Sequence, residues 1–303
     1  MLKTVFAAAL LLGSTLVAAQ AQDPITTELF HRNRYIVEFS DAGSTRFRKR
    51  DGSRDTEEFV RILQDGGADV EPVFSFTSNL FHGASFNLNN ATGDDITAIQ
   101  GLPEVANIWP AAYFTLGAEP QDLLQDSSSL ATWGPHSQTN VSQIHSLGNL
   151  GESVVVAVVD SGIDYTHPAL GGGFGPGFKV DGGWDFTSNS PDPKDCLGHG
   201  THVAGIIGAD DPFVKGVAPK ATLRAYKVFT CADGTTEDMA IAAFLRAHEE
   251  GADVINGSLG GDRPFPDSPI ALVLSRIQGE GTLIVVAAGN SGAQGMSPPL
   301  PPK

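Results

Sequence analysis

The sequence predicts an α/β protein, a parallel sheet flanked by helices with a small α+β block ahead of it. Three features carry this reading. Residues 33–112 offer strand and helix signals in the order β–α–β–β–α–β. From residue 152 onward, short apolar runs alternate with helical patterns, as in a parallel sheet covered on both faces. Polar residues able to do chemistry fall directly behind those runs, where the active crevice of an open parallel sheet lies.

Composition fits a folded, exported protein. The 303 residues are 41% hydrophobic and 18% charged, a balance that argues against wholesale disorder and against a polytopic membrane protein. This length accommodates one large domain or two smaller ones. Two Cys are too few for a disulfide scaffold. The formal net charge of −16, from 35 acidic against 19 basic residues, argues against nucleic acid or an anionic membrane as partner. Residues 1–21, MLKTVFAAALLLGSTLVAAQA, combine Lys3, an apolar stretch from Val5 to Val17 and the small-x-small Ala19-Gln20-Ala21. That pattern predicts a cleaved secretory signal, its apolar core being short for a membrane span. Export implies oxidising surroundings in which Cys196 and Cys231 are able to pair. Acceptor triplets occur at Asn90, Asn140 and Asn256, and Asn90 and Asn140 are the candidate glycosylation sites.

The first block begins with a strand at Tyr35–Phe39, followed by a basic polar loop from Arg46 to Arg54. A helix follows in which Phe59, Ile62 and Leu63 share one face, with Gly66-Gly67 as its stop. Val70–Thr77 and Phe81–Leu88 read as strands, Asp94–Gln100 as a short helix, and Val105–Trp109 as the last strand. This order is that of a ferredoxin-like domain. Residues 115–150 are polar, rich in Ser and Gln and without period, and read as a linker into a new domain.

In the second block Val154–Val159 is a continuous apolar run. Thr222–Val228, Asp253–Ile255 and Thr282–Ala288 are the later strands. A helix from about Thr236 to Glu250 carries Ile241, Phe244 and Leu245 inward. Another begins at Ser268-Pro269, a cap and first-turn pair, and continues through Ile270, Val273, Leu274 and Ile277 on one face.

Three short segments carry chemistry. Asp160 stands behind five Val and one Ala, where a carboxylate must be satisfied by donors such as a His N–H. Gly198-His-Gly-Thr-His-Val-Ala-Gly205 suggests a helix packed closely on the sheet through Gly200, Ala204 and Gly205, with His199 at its N-terminal edge. Its two His lack the Glu of H-E-x-x-H and any surrounding carboxylate cluster, so a metal site is not indicated. Ala287-Ala-Gly-Asn-Ser-Gly292 places the Asn290 amide at a strand end, where it can donate to a developing oxyanion.

DSGIDYTHP, GHGTHVAG and AAGNSG, in that order, resemble the subtilisin-like serine proteases, peptidase family S8, over residues ~135–292. The resemblance implies a subtilisin-like fold, here incomplete, with the linker at 115–135 and the peptidase domain from 136 to 303. It also implies that residues 33–114 are an inhibitory propeptide of the I9 type, occupying the chain's own cleft until removed. Asp160 would orient the imidazole, His199 would act as general base and then acid, and Asn290 would supply the oxyanion donor. Ser258, Leu259 and Gly260, in VINGSLGG, resemble the substrate-binding strand. Cys196 and Cys231 lie in regions that some members bridge, which implies a disulfide; two free thiols is the other reading. Protein or peptide substrates and a monomeric state follow from the same resemblance.

Two departures qualify it. Many subtilases carry a calcium-binding Asp after the His-Pro that follows the catalytic Asp, but here that position is Ala169, so no metal or other cofactor is assigned. The family nucleophile lies in Gly-Thr-Ser-Met-Ala, which these 303 residues do not contain. Ser291 adjoins the oxyanion residue and Ser297 sits in a Pro-rich tail, so neither substitutes. The expectation is therefore a secreted endopeptidase zymogen in a truncated, inactive form. The alternative is a pseudo-protease, or a propeptide-type inhibitor or folding assistant of other subtilases.

Overall fold

Apolar periodicity and glycine placement together account for the architecture of the computed structural model. It describes residues 30–40, 52–116, 135–232, 234–260 and 267–289. The signal segment, most of the basic loop, most of the linker, Asn290, Ser291 and Ser297 lie outside the described residues. The chain divides into two compact units. One comprises residues up to Tyr113 with Thr236–Ala242 and Asp267–Val273, and the other the remainder.

In the first unit the elements run β1 (Phe30–Phe39), α1 (Gly52–Asp65), β2 (Val70–Thr77), β3 (His82–Leu88), α2 (Gly93–Gln100) and β4 (Val105–Phe114). The sheet order is β2-β3-β1-β4, with the two-residue β8 (Thr235–Thr236) outside β4. β1 is antiparallel to both neighbours, Val37 lying opposite Ala84 of β3 and Ile108 of β4. Gly83 is required there, because a Cβ would lie 2.0 Å from the Val37 carbonyl oxygen. Val37, Phe39, Phe59, Val60, Leu63, Phe86 and Ile99 form the core, and Phe59 contacts Phe39 and Phe86 at ring distances of 5.3 and 5.6 Å. The helix α1 starts at Gly52, so Gly52, Ser53 and Arg54 are helical rather than part of the expected loop. At α2, Thr92 and Asp95 form a reciprocal capping box.

Three buried acids, Asp55, Glu237 and Asp238, shape this unit. Asp55 faces His82 at 2.9 Å, both nearly inaccessible. Glu237 and Asp238 open the helix α6 (Glu237–Glu249) and are fully buried. Asp238 accepts from Arg34 (2.8 Å) and Ser85 (2.7 Å), while Glu237 accepts from the backbone N–H of Ala112 (3.0 Å). Charges at a helix N-terminus are favoured by the exposed N–H groups, and here each also has a specific donor.

The second unit holds β5 (Val155–Asp160), β6 (Val180–Asp185), β7 (Thr222–Lys227), β9 (Val254–Gly257) and β10 (Leu283–Val286). They form one parallel sheet in the order β10-β9-β5-β7-β6. Ala157, Val158 and Val159 are all inaccessible, and successive strand residues point to opposite faces, so β5 is covered on both. Its helices are α3 (Pro135–Gln138), α4 (Val141–Ser146) and α5 (His199–Gly208), with the later turns of α6 and of α7 (Pro269–Gly279). Phe244 of α6 abuts Gly257, where a Cβ would lie 2.6 Å from the ring.

Three features differ from the sequence reading. Residues 135–146 form two short helices inside what reads as linker. The strand β6 was not expected, because VDGGWD shows no alternation; its Gly183 instead allows close strand approach, a Cβ there meeting the Ala225 oxygen at 1.8 Å. In α5, Gly200 and Ala204 are buried as expected and Gly208 is buried with them; a Cβ on Gly208 would lie 3.4 Å from Leu223, whereas one on Gly205 would meet nothing. At the sheet edge, Leu283, Val285 and Val286 of β10 are about half exposed. Among the described residues no helix is long and apolar enough to cross a membrane.

Replacing Phe59 by Ala should cost about 3–5 kcal/mol, because the ring fills the centre of the first core. Hydrogen exchange of the full chain should then show lost protection in β1 and β3; unchanged protection there would contradict this packing.

Candidate active site

The site starts from a carboxylate that water does not reach. Asp160 ends β5 with no solvent exposure, and its carbonyl accepts from the Val228 N–H at 2.8 Å. Its Oδ1 accepts two hydrogen bonds, from the Ser161 N–H and from His199 Nδ1, both at 2.7 Å. An ionised carboxylate only accepts, so the ring proton sits on Nδ1 and the Nε2 lone pair is the basic site of the neutral imidazole. The His199 side chain is 19% exposed, so a buried acid orients a partly accessible base.

The start of α5 is fixed against the loop after β5. Gly198 precedes the helix at φ +93°, a conformation that glycine adopts without strain. A Cβ on Gly200 would lie 2.1 Å from the Gly162 oxygen and 3.1 Å from the Asp160 Cβ. Only a glycine there lets His199 reach Asp160. The Gly200 N–H donates to the buried Ser161 hydroxyl at 2.8 Å. Thr201 accepts from the Asp164 N–H at 2.8 Å and donates to Asp195 at 2.5 Å.

Asp195, which the sequence reading did not single out, gathers the approach to His199. Its Oδ1 accepts from the N–H groups of Leu197 (2.9 Å) and Gly198 (3.0 Å), and its Oδ2 from the Thr201 N–H (3.0 Å). Burial pushes this carboxyl up, but the bonds from the Thr201 hydroxyl and from three backbone N–H groups outweigh it and hold it below the ordinary range. Its sequence signal was the Asp-x-x-Gly-His-Gly-Thr spacing, an acid and a Thr bracketing a helix start. Lys227 was also missed. It is nearly inaccessible, and its Nζ reaches the Lys194 oxygen (2.9 Å) and Cys196 Sγ (3.0 Å). Cys196 and Cys231 are joined, with S–S 2.05 Å.

The other expected residues divide as follows. Ser258, Leu259 and Gly260 leave the carboxyl end of β9, which pairs with β5 through Asn256 and Val158. These strands are parallel, so this segment and Asp160 emerge at the same end of the sheet. Asn256 Nδ2 donates to the Ser258 hydroxyl at 2.9 Å, while Asn90 and Asn140 are exposed. Gly289 follows β10 at φ +94°, and Asn290 behind it lies outside the described residues. His202 is exposed and does not join the Asp160–His199 pair. Ala169 presents a buried methyl in the Pro168–Leu170 turn, and its carbonyl accepts from the Asp210 N–H at 2.9 Å.

Comparison with known proteins bears on this geometry. Residues 151–301 match the family model described as Subtilase family, Peptidase_S8. Minor extracellular protease Vpr of Bacillus subtilis (strain 168) is 42% identical over 159 residues, covering 49% of this chain and 19% of that protein. Thermophilic serine proteinase of Bacillus sp. (strain AK1) is 31% identical over 242 residues, covering 78% of this chain and 56% of that protein. Thermitase of Thermoactinomyces vulgaris is 36% identical over 145 residues, covering 47% and 49%. The chain therefore spans less than two thirds of each of these relatives. Among solved structures, fervidolysin from Fervidobacterium pennivorans, a keratinolytic enzyme related to subtilisin, superposes with TM-score 0.62. It covers 89% of this chain and 41% of its own at 20% identity, a likeness of fold.

The lowered Asp195 carboxyl sets a pH dependence. Its contribution to stability is complete above the ordinary Asp value of ~3.9 and is lost as pH falls through the lower native value. Asp195→Asn should lower the thermal midpoint at pH 7 and flatten its fall below about pH 4. Parallel curves for the two proteins would contradict this role.

Proposed function

We infer, for a chain whose residues 151–301 match the Subtilase family (Peptidase_S8) model, that the protein is a secreted serine endopeptidase made as a zymogen. The observation that carries this reading is the buried Asp160 carboxylate 2.7 Å from His199 Nδ1 at the carboxyl ends of a parallel sheet. Proteins and peptides are the substrate class. Export is supported by the signal-like residues 1–21 and by the extracellular character stated for the B. subtilis relative. The β–α–β–β–α–β order of residues 30–114 supports an I9-type inhibitory segment with a ferredoxin-like fold.

In the chemistry of this family a hydroxyl attacks the scissile carbonyl, His199 Nε2 takes its proton, and the imidazolium is stabilised by Asp160. The same proton then goes to the leaving amine, and water repeats the sequence on the acyl-enzyme. Asn290 would donate to the tetrahedral oxyanion, and Ser258, Leu259 and Gly260 would pair with substrate backbone.

The nucleophile is not among these 303 residues, so a polypeptide of this sequence should bind peptide without turning it over. Incubated with a fluorophosphonate probe, the purified chain should remain unlabelled, whereas stoichiometric labelling would overturn inactivity. Titration with an extended apolar peptide should shift the amide resonances of Ser258–Gly260 and the His199 ring. No shift at either place would contradict a protease-type cleft. A second reading, a pseudo-protease or propeptide-type inhibitor or folding assistant of other subtilases, rests on the β–α–β–β–α–β order of residues 30–114. Inhibition of an active subtilase by the full chain would favour it.

A further inference from the structure

The peptidase chemistry makes no use of the Lys227 ammonium, although it is buried beside an exposed sulfur. Cys196 and Cys231 are both exposed, and the nearly inaccessible Lys227 Nζ lies 3.0 Å from Cys196 Sγ and 2.9 Å from the Lys194 oxygen. The two sulfurs are therefore unequal. The other charged groups around Cys196 are otherwise engaged. Lys194 Nζ lies 3.7 Å from Asp164 Oδ1, the Asp195 carboxylate receives Leu197, Gly198 and Thr201, and His199 is held on Asp160.

We propose that Cys196–Cys231 is a thiol-exchange site for low-molecular-weight thiols, polarised by Lys227 so that Cys231 is attacked and Cys196 leaves. An incoming glutathione thiolate forms a bond to Cys231 Sγ, the Cys196–Cys231 bond breaks, and its electron pair departs on Cys196 Sγ. The products are a Cys231–glutathione mixed disulfide and a Cys196 thiolate beside the Lys227 ammonium. A second glutathione thiolate releases Cys231 with formation of oxidised glutathione. A better-stabilised thiolate is the faster leaving group, which sets the direction of attack. Cys196 lies three residues before His199, so exchange frees the base-bearing loop from its tie to Cys231. That consequence rests on the peptidase reading, whereas the thiol chemistry does not.

The test uses the full chain and neither substrate nor turnover. Brief treatment with glutathione at pH 7, acid quench and peptide mass spectrometry should find the mixed disulfide on Cys231. After full reduction, iodoacetamide should modify Cys196 at least about fivefold faster than Cys231, as for a thiol beside a Lys ammonium. Lys227→Met should abolish both preferences and Lys227→Arg should retain them; the wild-type measurements stand alone should either variant fail to fold. Glutathione found mainly on Cys196, or equal alkylation of the two thiols in the wild type, would overturn the proposal. So would an undiminished preference in folded Lys227→Met. Each of those results leaves the fluorophosphonate and peptide-binding outcomes unaffected, so the two readings fail separately.

Discussion

The constraint on which the site depends is a negative charge that solvent cannot serve. Asp160 is carried into the interior by an apolar strand whose Ala157, Val158 and Val159 are inaccessible. An ionised carboxylate at that depth is tolerated only with donors directed at it. The Ser161 N–H supplies one and His199 supplies the other. Both donors reach Oδ1, and the buried Oδ2 has no hydrogen-bond partner among the described residues, so the bond that orients the imidazole is one of only two that the acid receives. Removing His199 would leave the buried acid with the Ser161 N–H as its remaining donor, and much of the local structure keeps the two residues together.

That local structure is built from close backbone approaches closed by short polar side chains. Gly162 at φ +103° passes within reach of Pro193, and Gly200 passes Gly162, each where a Cβ would collide with a carbonyl oxygen. Ser161, Thr201 and Asp195 then pin the same segments by hydrogen bonds across the gap. From the opposite strand, Lys227 and the Cys231 sulfur hold residues 194–196. The loop before His199 is thus fixed from two directions, by the β5 loop and by the end of β7. The parallel sheet makes this arrangement available, because β5, β7 and β9 deliver their carboxyl ends to one side.

Sequence alone revealed the parts of this design that leave a local pattern. The Val run announced β5, the acid behind it announced a donor requirement, and the small residues around His199 announced a helix start against the sheet. The parts that depend on tertiary approach left little trace. Gly182-Gly183 hid β6, because the residues that permit close strand pairing are those that break alternation. The α1 start was read as a basic loop, since the first turn of that helix carries no apolar residue. Lys227 looked like any strand-end lysine, and only the fold brings it to Cys196. Asp195 was visible as a residue but not as a hub, because its donors are backbone N–H groups.

The oriented imidazole is tested most directly by the protonation pattern of His199 in the full chain. Nitrogen-15 NMR should show a ring proton on Nδ1, shifted far downfield by Asp160. In Asp160→Asn the downfield proton should disappear. A wild-type ring protonated only at Nε2, or a spectrum unchanged by Asp160→Asn, would contradict the claim that this buried carboxylate orients the base.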